Sequence, residues 1–197
     1  MNEKQKRNKK VLAHIEAMIS GYKALMRYTP EEIEEFSKDE KPVTPLEMLE
    51  CDNSPIEERL LVIFGDDVEA IPIENKKKLA LELAWLALPI FENRHPKDKR
   101  PRKALEALEK NSIIEANNYI SGFEALDGTY TSILADKINV DSSAAAVDCI
   151  ICVVSADIHT GHSDVAYATA ALSAYSAFVF AYNDKRKIVD KIKEYLK

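Results

Sequence analysis

The densest cluster of side chains able to do chemistry lies at residues 94–103, which carry six Lys and Arg, one His and a single acid, Asp98. Pro101 predicts that a helix begins here, so Arg100 and Arg102 should lie at its N-terminus. Basic residues at this end are unfavourable for the helix dipole. The planar forks of two guanidinium groups could there hold a phosphate or a carboxylate ligand.

The same two arginines can instead form ion pairs inside the protein. Candidate partners are Glu82, Glu92 and the acidic N-terminal half of the chain. In that case the cluster is a clamp that holds the fold together. The residue types leave both interpretations open, and we favour the clamp.

A second cluster contains His159 and His162, with Asp157 and Asp164 beside them. Two His and two Asp within eight residues could ligate a metal, with His95 as a third imidazole. The glycine between the two histidines favours a turn between helices, in which the imidazoles bond to backbone or to a carboxylate. Zinc-protease, paired CxxC and EF-hand patterns are all missing, so we expect no metal and no cofactor.

The three cysteines do not indicate catalysis. Cys149 and Cys152 form a CxxC pair, but it lies inside the apolar run from Val147 to Val154. Redox pairs of this kind need an accessible helix start, so these two are better read as core residues. The sequence also lacks a nucleophile-elbow serine, a P-loop and a dinucleotide-binding glycine motif. We therefore expect a non-enzymatic protein.

Helical periodicity predicts the elements that position these clusters. Apolar residues recur at three- and four-residue steps over most of the chain, while Thr129 to Val140 is ambiguous between helix and strand. We predict an all-α bundle of about seven to nine helices with an acidic, loop-rich N-terminal part. The clearest predicted helices span about Lys6–Tyr28, Glu74–Phe91, Pro101–Lys110, Ile113–Leu126, Ser142–Asp157 and Ser163–Tyr182.

Two features locate the core of this bundle. Trp85 lies at the centre of a helix that is apolar nearly all round, with Pro89 expected to kink it or to leave one further turn. Residues 143–156 and 165–182 are rich in Ala and Ser, which favours two closely packed helices. Residues 165–182 carry no charge, but few of them are large aliphatics, so we expect a core helix and no membrane span.

Charge is distributed unevenly along the chain. Residues 31–74 contain fifteen Asp and Glu against three Lys and Arg, a local charge of −12, whereas the rest of the chain carries +6. Such a segment can steer a basic partner and repel nucleic acid, or it can be a solvated segment, which is the favoured interpretation. We expect one domain over 1–197, with an acidic part at 1–74 and a helical core at 75–197.

Composition bounds the class of protein. A chain of 197 residues that is 46% hydrophobic can bury a real core. Three scattered cysteines indicate a reducing compartment, and the polar, basic start of the chain is unlike a secretory signal. We therefore expect a cytoplasmic protein, and the sequence leaves its oligomeric state open.

Three motifs in order resemble one known family. They are LPIFE at 88–92, HPKDKRPRKALEA at 95–107 and HTGHSDVAYA at 159–168. Together they are similar to the signature of an all-α family of immunity proteins from bacterial polymorphic toxin systems. The resemblance covers about residues 79–182. It departs at Leu83-Ala84-Trp85, where the family has Cys-Ala-Glu, and near Asn111, where the family has a Trp.

The resemblance implies a protein that neutralises a toxin or another effector by direct binding. It carries over Arg100, Arg102, His159 and His162, which we expect to lie close together. A basic toxin could meet the acidic segment at 31–74. The alternatives are a protein that binds a small anion or a metal through the Arg/His cluster, and an accessory protein of a mobile element or phage. The predicted binding residues are His95, Asp98, Arg100, Arg102, His159, His162 and Asp164.

Overall fold

The computed structural model describes residues 2–20, 27–38, 41–64, 71–121, 142–158, 163–184 and 186–196. Helices contain 82% of these residues and none of them lies in a strand, which confirms the all-α prediction. These ranges hold ten helices, one more than the upper bound expected. They are α1 (Glu3–Ser20), α2 (Pro30–Lys38), α3 (Pro45–Leu49), α4 (Ile56–Phe64), α5 (Ile73–Arg94), α6 (Arg100–Glu109), α7 (Ile113–Ile120), α8 (Ser142–Ile158), α9 (Ser163–Tyr182) and α10 (Arg186–Tyr195).

The chain divides into two compact units. The N-terminal unit comprises Met1–Ile71 with Leu196–Lys197, and the C-terminal unit comprises Pro72–Tyr195. Helices α1 to α4 belong to the first and α5 to α10 to the second. The single domain with an inner boundary at residue 74 stays a prediction.

In the N-terminal unit, α1 packs against α3 and α4. Val11 and Ile15 are four residues apart on α1, so they share one face, and both are buried. From α4, Leu60, Ile63 and Phe64 are fully enclosed. The described part of α1 reaches Ser20, and residues 27–29 are not α-helical, so the helix does not extend to the predicted Tyr28.

Arg7 fastens α1 to the start of α3. Its Nε and Nη2 donate to the two carboxylate oxygens of Glu47 at 3.0 and 2.8 Å. It also donates to the carbonyls of Lys41 and Pro42 at 2.9 and 2.7 Å. Thr44 and Glu47 form a reciprocal capping box at the first turn of α3. The hydrogen bond from Arg7 is the main reason that the pKa of Glu47 falls to about 2.

In the C-terminal unit, α5, α8 and α9 form the core. Helices α8 and α9 pack most extensively against each other, and small side chains at their contact let the two backbones approach closely. The predicted pair of small-residue helices is therefore present. The buried alanines of the two helices are Ala145, Ala146, Ala156, Ala168, Ala170, Ala171, Ala174 and Ala177.

Helix α5 is buried on one face only. Its enclosed residues follow steps of three and four, and the helix continues past Pro89 to Arg94, a little more than one turn. Trp85 is half-buried, so it is not the centre of the core as expected. The enclosed positions are Leu79, Ala80, Leu83, Ala84, Ala87 and Leu88.

The remaining helices cover this core. Helices α6 and α7 form a hairpin, and Asn111 between them has φ 57°, a left-handed conformation that Asn tolerates better than most residues. Helix α10 buries Ile188 and Ile192, and its Tyr195 hydroxyl donates to Glu82 of α5 at 2.7 Å. No helix in the described ranges is long and apolar enough to cross a bilayer, α9 included.

A buried carboxylate interrupts the apolar contact between α8 and α9. Asp148 is 5% exposed and accepts a hydrogen bond from the hydroxyl of Ser173. Burial raises the pKa of Asp148 from 3.8 to about 6, because apolar surroundings penalise the charged form.

We predict that Asp148→Asn stabilises the protein above pH 6. The folded state binds the Asp148 proton more tightly than the unfolded chain does, so this contribution to stability is complete below about pH 4 and is lost as the pH rises through 6. Because Asn stays neutral, the variant should gain about 1–3 kcal/mol in free energy of unfolding at pH 8. Urea titrations between pH 4 and 8 measure the difference. A variant less stable than the parent at pH 8 would contradict the assignment.

Candidate functional site

The loop between α5 and α6 and the first turn of α6 carry four of the seven predicted binding residues. The backbone N–H of His95 donates to the carbonyl of Phe91 at 2.9 Å, and the two rings stack at 4.8 Å between centroids. Pro96 lacks an N–H and cannot extend the helix. The N–H of Asp98 then donates to the carbonyl of His95 at 3.0 Å and closes a turn. His95 is therefore exposed at the end of α5, with its ring held against Phe91.

Arg100 pairs with Asp98 inside this loop. Its Nη2 lies 2.6 Å from one carboxylate oxygen and its Nε 3.0 Å from the other. The backbone N–H of Arg100 also donates to Asp98 at 3.1 Å. These bonds lower the pKa of Asp98, chiefly through the Arg100 side chain. The carboxylate supplies the negative charge that the N-terminus of α6 otherwise lacks.

Arg102 joins α6 to α5. Its Nε and Nη2 donate to the two oxygens of Glu92 at 2.9 and 2.6 Å, and Lys99 donates to the same carboxylate at 3.1 Å. The Glu92 side chain is only 15% exposed. The hydrogen bond from Arg102 is the main reason that the pKa of Glu92 falls to about 2. A forked arginine–carboxylate pair of this kind fixes orientation as well as charge.

The Arg102 guanidinium also lies over the ring of Trp85, 5.7 Å from its centroid. This is the distance of a cation–π contact. The indole Nε1 of Trp85 is buried and has no hydrogen-bond partner within the described part of the chain. Trp85 therefore supports the Arg102–Glu92 pair on the flank of α5.

These contacts bear on the two interpretations of the arginine cluster. Both arginines bind carboxylates of their own unit, and Arg102 does so with Glu92, one of the predicted partners. The other predicted partner, Glu82, contacts Tyr195 and Lys191 instead. The pairing that we favoured is present, and a binding role for Arg100 and Arg102 stays a prediction.

The histidine half of the predicted site lies outside the described residues. His159 and His162 fall in the range 159–162, and Asp164 is the second residue of α9, with its side chain outside the described set. Their predicted meeting with Arg100 and Arg102 therefore stays a prediction.

Within the described ranges, no three His, Cys, Asp or Glu side chains come together as a metal site would need. Cys149 is fully buried and Cys152 half-buried in α8, and burial raises the pKa of both thiols. A thiol with a raised pKa is a poor nucleophile at neutral pH.

The two faces of α2 were missed by sequence reasoning. Glu32 and Glu35 are three residues apart, and both contact lysines of α1: Lys9 and Lys6, respectively. Glu31 and Glu34 are also three residues apart, and they lie further from the side of α2 that meets the α1 lysines. Both of them are exposed. The run of four glutamates thus divides into a paired face and an outer face. The sequence signal that could have revealed this division was the helical spacing of the four glutamates, together with the basic residues of the first helix.

Comparison with known proteins adds no assignment: no family model, curated protein or solved structure matches the chain. The resemblance to immunity proteins stays a prediction.

We predict that Arg102→Ala costs about 1.5 kcal/mol in free energy of unfolding, because it leaves the half-buried Glu92 without its fork. Arg100→Ala should cost less than about 0.5 kcal/mol, since Arg100 pairs within its own exposed loop. Arg102→Lys should recover only part of the loss. Urea unfolding at pH 7 measures all three.

The low pKa of Glu92 adds a pH test. Ionised Glu92 stabilises the folded state above about pH 4.5, and this contribution to the free energy of unfolding is lost as the pH falls toward 2. The difference in free energy of unfolding between Arg102→Ala and the parent should therefore narrow below pH 4.5. Equal losses for the Ala variants of Arg100 and Arg102 would refute the clamp.

Proposed function

We propose that this protein is a non-enzymatic binding protein that neutralises a basic protein, as an immunity protein neutralises its toxin. The observation that carries the proposal is the outer face of α2, where Glu31 and Glu34 are exposed. Ile33 lies between them in sequence and is 36% exposed, although it is a large apolar residue. Residues two apart in a helix do not face each other, so Ile33 lies on a different side of α2 from Glu31. We call Glu31 and Glu34 the outer α2 face.

This face carries two exposed carboxylates three residues apart on one side of α2. The carboxylates would steer a cationic partner during encounter and raise its association rate. Glu34 forms one ion pair, with Lys38 at 2.7 Å, but both side chains are about two-thirds or more exposed. Such a surface pair is weak and can be exchanged for a partner's cation.

The paired carboxylates of the same unit contribute less to such a surface. Glu47 is held by Arg7, and Glu32 and Glu35 contact lysines of α1. The −12 segment is therefore not a uniform acidic surface. The proposal concerns its outward part, and the loop from Cys51 to Pro55 supplies a further exposed carboxylate, Asp52, which lies 3.8 Å from Arg59.

The resemblance to immunity proteins lies in the C-terminal unit and is the second ground for the proposal. The motifs LPIFE and HPKDKRPRKALEA cover the end of α5, the loop after it and most of α6, where Arg102 pairs with Glu92. A motif that fixes the angle between two helices is a feature of fold. Partner choice would then depend on other surfaces, such as the outer α2 face.

We predict that Glu31→Gln with Glu34→Gln weakens binding of a basic partner about tenfold at low salt, a loss of about 1.4 kcal/mol. The matched control is Glu74→Gln with Glu109→Gln, which removes the same charge from exposed positions of the C-terminal unit. The partner is first captured at low salt from a lysate of the source organism, then purified and titrated by calorimetry at 50 and 300 mM salt.

The result expected is one stoichiometric basic protein that the control double variant binds as the parent does and that high salt releases. Full retention by the Glu31/Glu34 variant would overturn the proposed surface. A folded bait that captures nothing would overturn the proposed function.

A further inference from the structure

A basic groove of about 600 Å³ lies in the N-terminal unit, between α1, α2 and Lys41. This volume is within the range of about 300–1,000 Å³ that small-molecule sites occupy. Two carboxylates, Glu3 and Glu35, also line it, as does the ring of Phe36. Its six cationic side chains are Lys4, Lys6, Arg7, Lys10, Lys38 and Lys41.

Six positive and two negative side chains line the groove, in a chain whose net charge is −6. Glu47, which pairs with Arg7 and Lys41, and Glu34, which pairs with Lys38, reduce the local excess from four positive charges to two. Like charges held close together repel, and a bound anion relieves that repulsion. Composition alone predicts the opposite sign for this unit, which contains most of the acidic segment. The local excess arises because α1 brings its cations to the inner side of α2.

Hydrogen bonds and an ion pair within the protein hold two of the six cations of the groove in place without a ligand. Arg7 is fixed by Glu47 and by two carbonyls, and its side chain is 18% exposed. Lys10 donates to the carbonyl of Lys41 at 3.1 Å, which ties α1 to the far wall of the groove. Cations positioned in advance lose less entropy when a ligand binds.

Other lysines reach the groove from solvent. Lys38 and Lys41 have side chains that are 72% and 66% exposed, and Lys4 is exposed as well. Lys38 pairs with Glu34 at 2.7 Å on the exposed surface, and Lys41 lies 3.5 Å from Glu47, a long distance for an ion pair. Pairs of this kind contribute little and yield to a multivalent anion.

We propose that this groove binds an oligophosphate, either an inorganic triphosphate or the triphosphate of a nucleotide. A chain of three phosphates carries about four negative charges near neutral pH, enough to neutralise the local excess of the groove. Lysine is a common phosphate ligand, acting as a point charge. Phe36 also lines the groove, with its ring in a T-shaped contact with Tyr28 at 5.6 Å between centroids, and is the aromatic side chain that a nucleobase would meet there. The inference does not rest on the proposed partner, although Lys38 of the groove also pairs with Glu34 of the outer α2 face.

The test uses the full chain with ATP, inorganic triphosphate and adenosine in calorimetric titrations at 50 mM salt. We expect both triphosphates to bind with a dissociation constant below 1 mM and adenosine not to bind. Tighter binding of ATP assigns the nucleotide as the source, and the preference should disappear in Phe36→Leu. Equal binding assigns the phosphate chain alone.

The groove variant is Lys4→Gln, Lys38→Gln, Lys41→Gln, and the matched control is Lys97→Gln, Lys110→Gln, Lys187→Gln, which removes three exposed charges from the C-terminal unit. Triphosphate affinity should fall at least tenfold in the first and change less than twofold in the second. Equal losses in both, or no binding by the parent, would overturn the proposal.

A second measurement uses the parent protein, so its result does not depend on whether the groove variant folds. Amide NMR shifts induced by triphosphate should concentrate in α1, α2 and Lys41. Shifts that concentrate in the C-terminal unit would overturn the groove as the site.

Discussion

Each unit of this protein depends on one arginine fork that holds a glutamate. Arg7 grips Glu47 and so fastens α1 to the capped start of α3, while Arg102 grips Glu92 and fastens α6 to α5. Both carboxylates are largely shielded, with 26% and 15% of the side chain exposed. A shielded charge is costly without a partner, so the fork also dictates how the helices must meet. Burial of the apolar faces supplies most of the stability, and each fork adds a constraint on how two of the helices meet.

The same pairing redistributes the charge that the sequence displays. The first ten residues contain five Lys and Arg, and their helix lies beside the acidic α2. Lys6 and Lys9 neutralise the inner glutamates of α2, so the outer pair remains exposed and a surplus of cations lines the groove below. One amphipathic helix therefore presents an acidic surface on one side and borders a basic one on the other. Local charge counts along the chain conceal this division.

The helices were largely predictable, because apolar periodicity is a local signal. The many small residues of α8 and α9 likewise predicted that these two helices pack closely against each other. The charge partners were harder: Arg7 and Glu47 are 40 residues apart, and only the tertiary fold brings them together. Sequence reasoning named Glu92 for the arginine cluster because the two segments are neighbours in the chain. It placed Trp85 in the core on apolarity alone, whereas the structure uses its ring as a platform for Arg102.

The central claim is that these glutamates are structural charges held by arginine. The most direct measurement is a carbon-detected NMR titration of the side-chain carboxyl groups of Glu47 and Glu92 from pH 7 to pH 3. Because both pKa values lie near 2, the account predicts that both signals stay in the ionised position throughout. A midpoint near the ordinary value of 4.5 for either residue would show that its fork is not formed in solution, and would contradict the account.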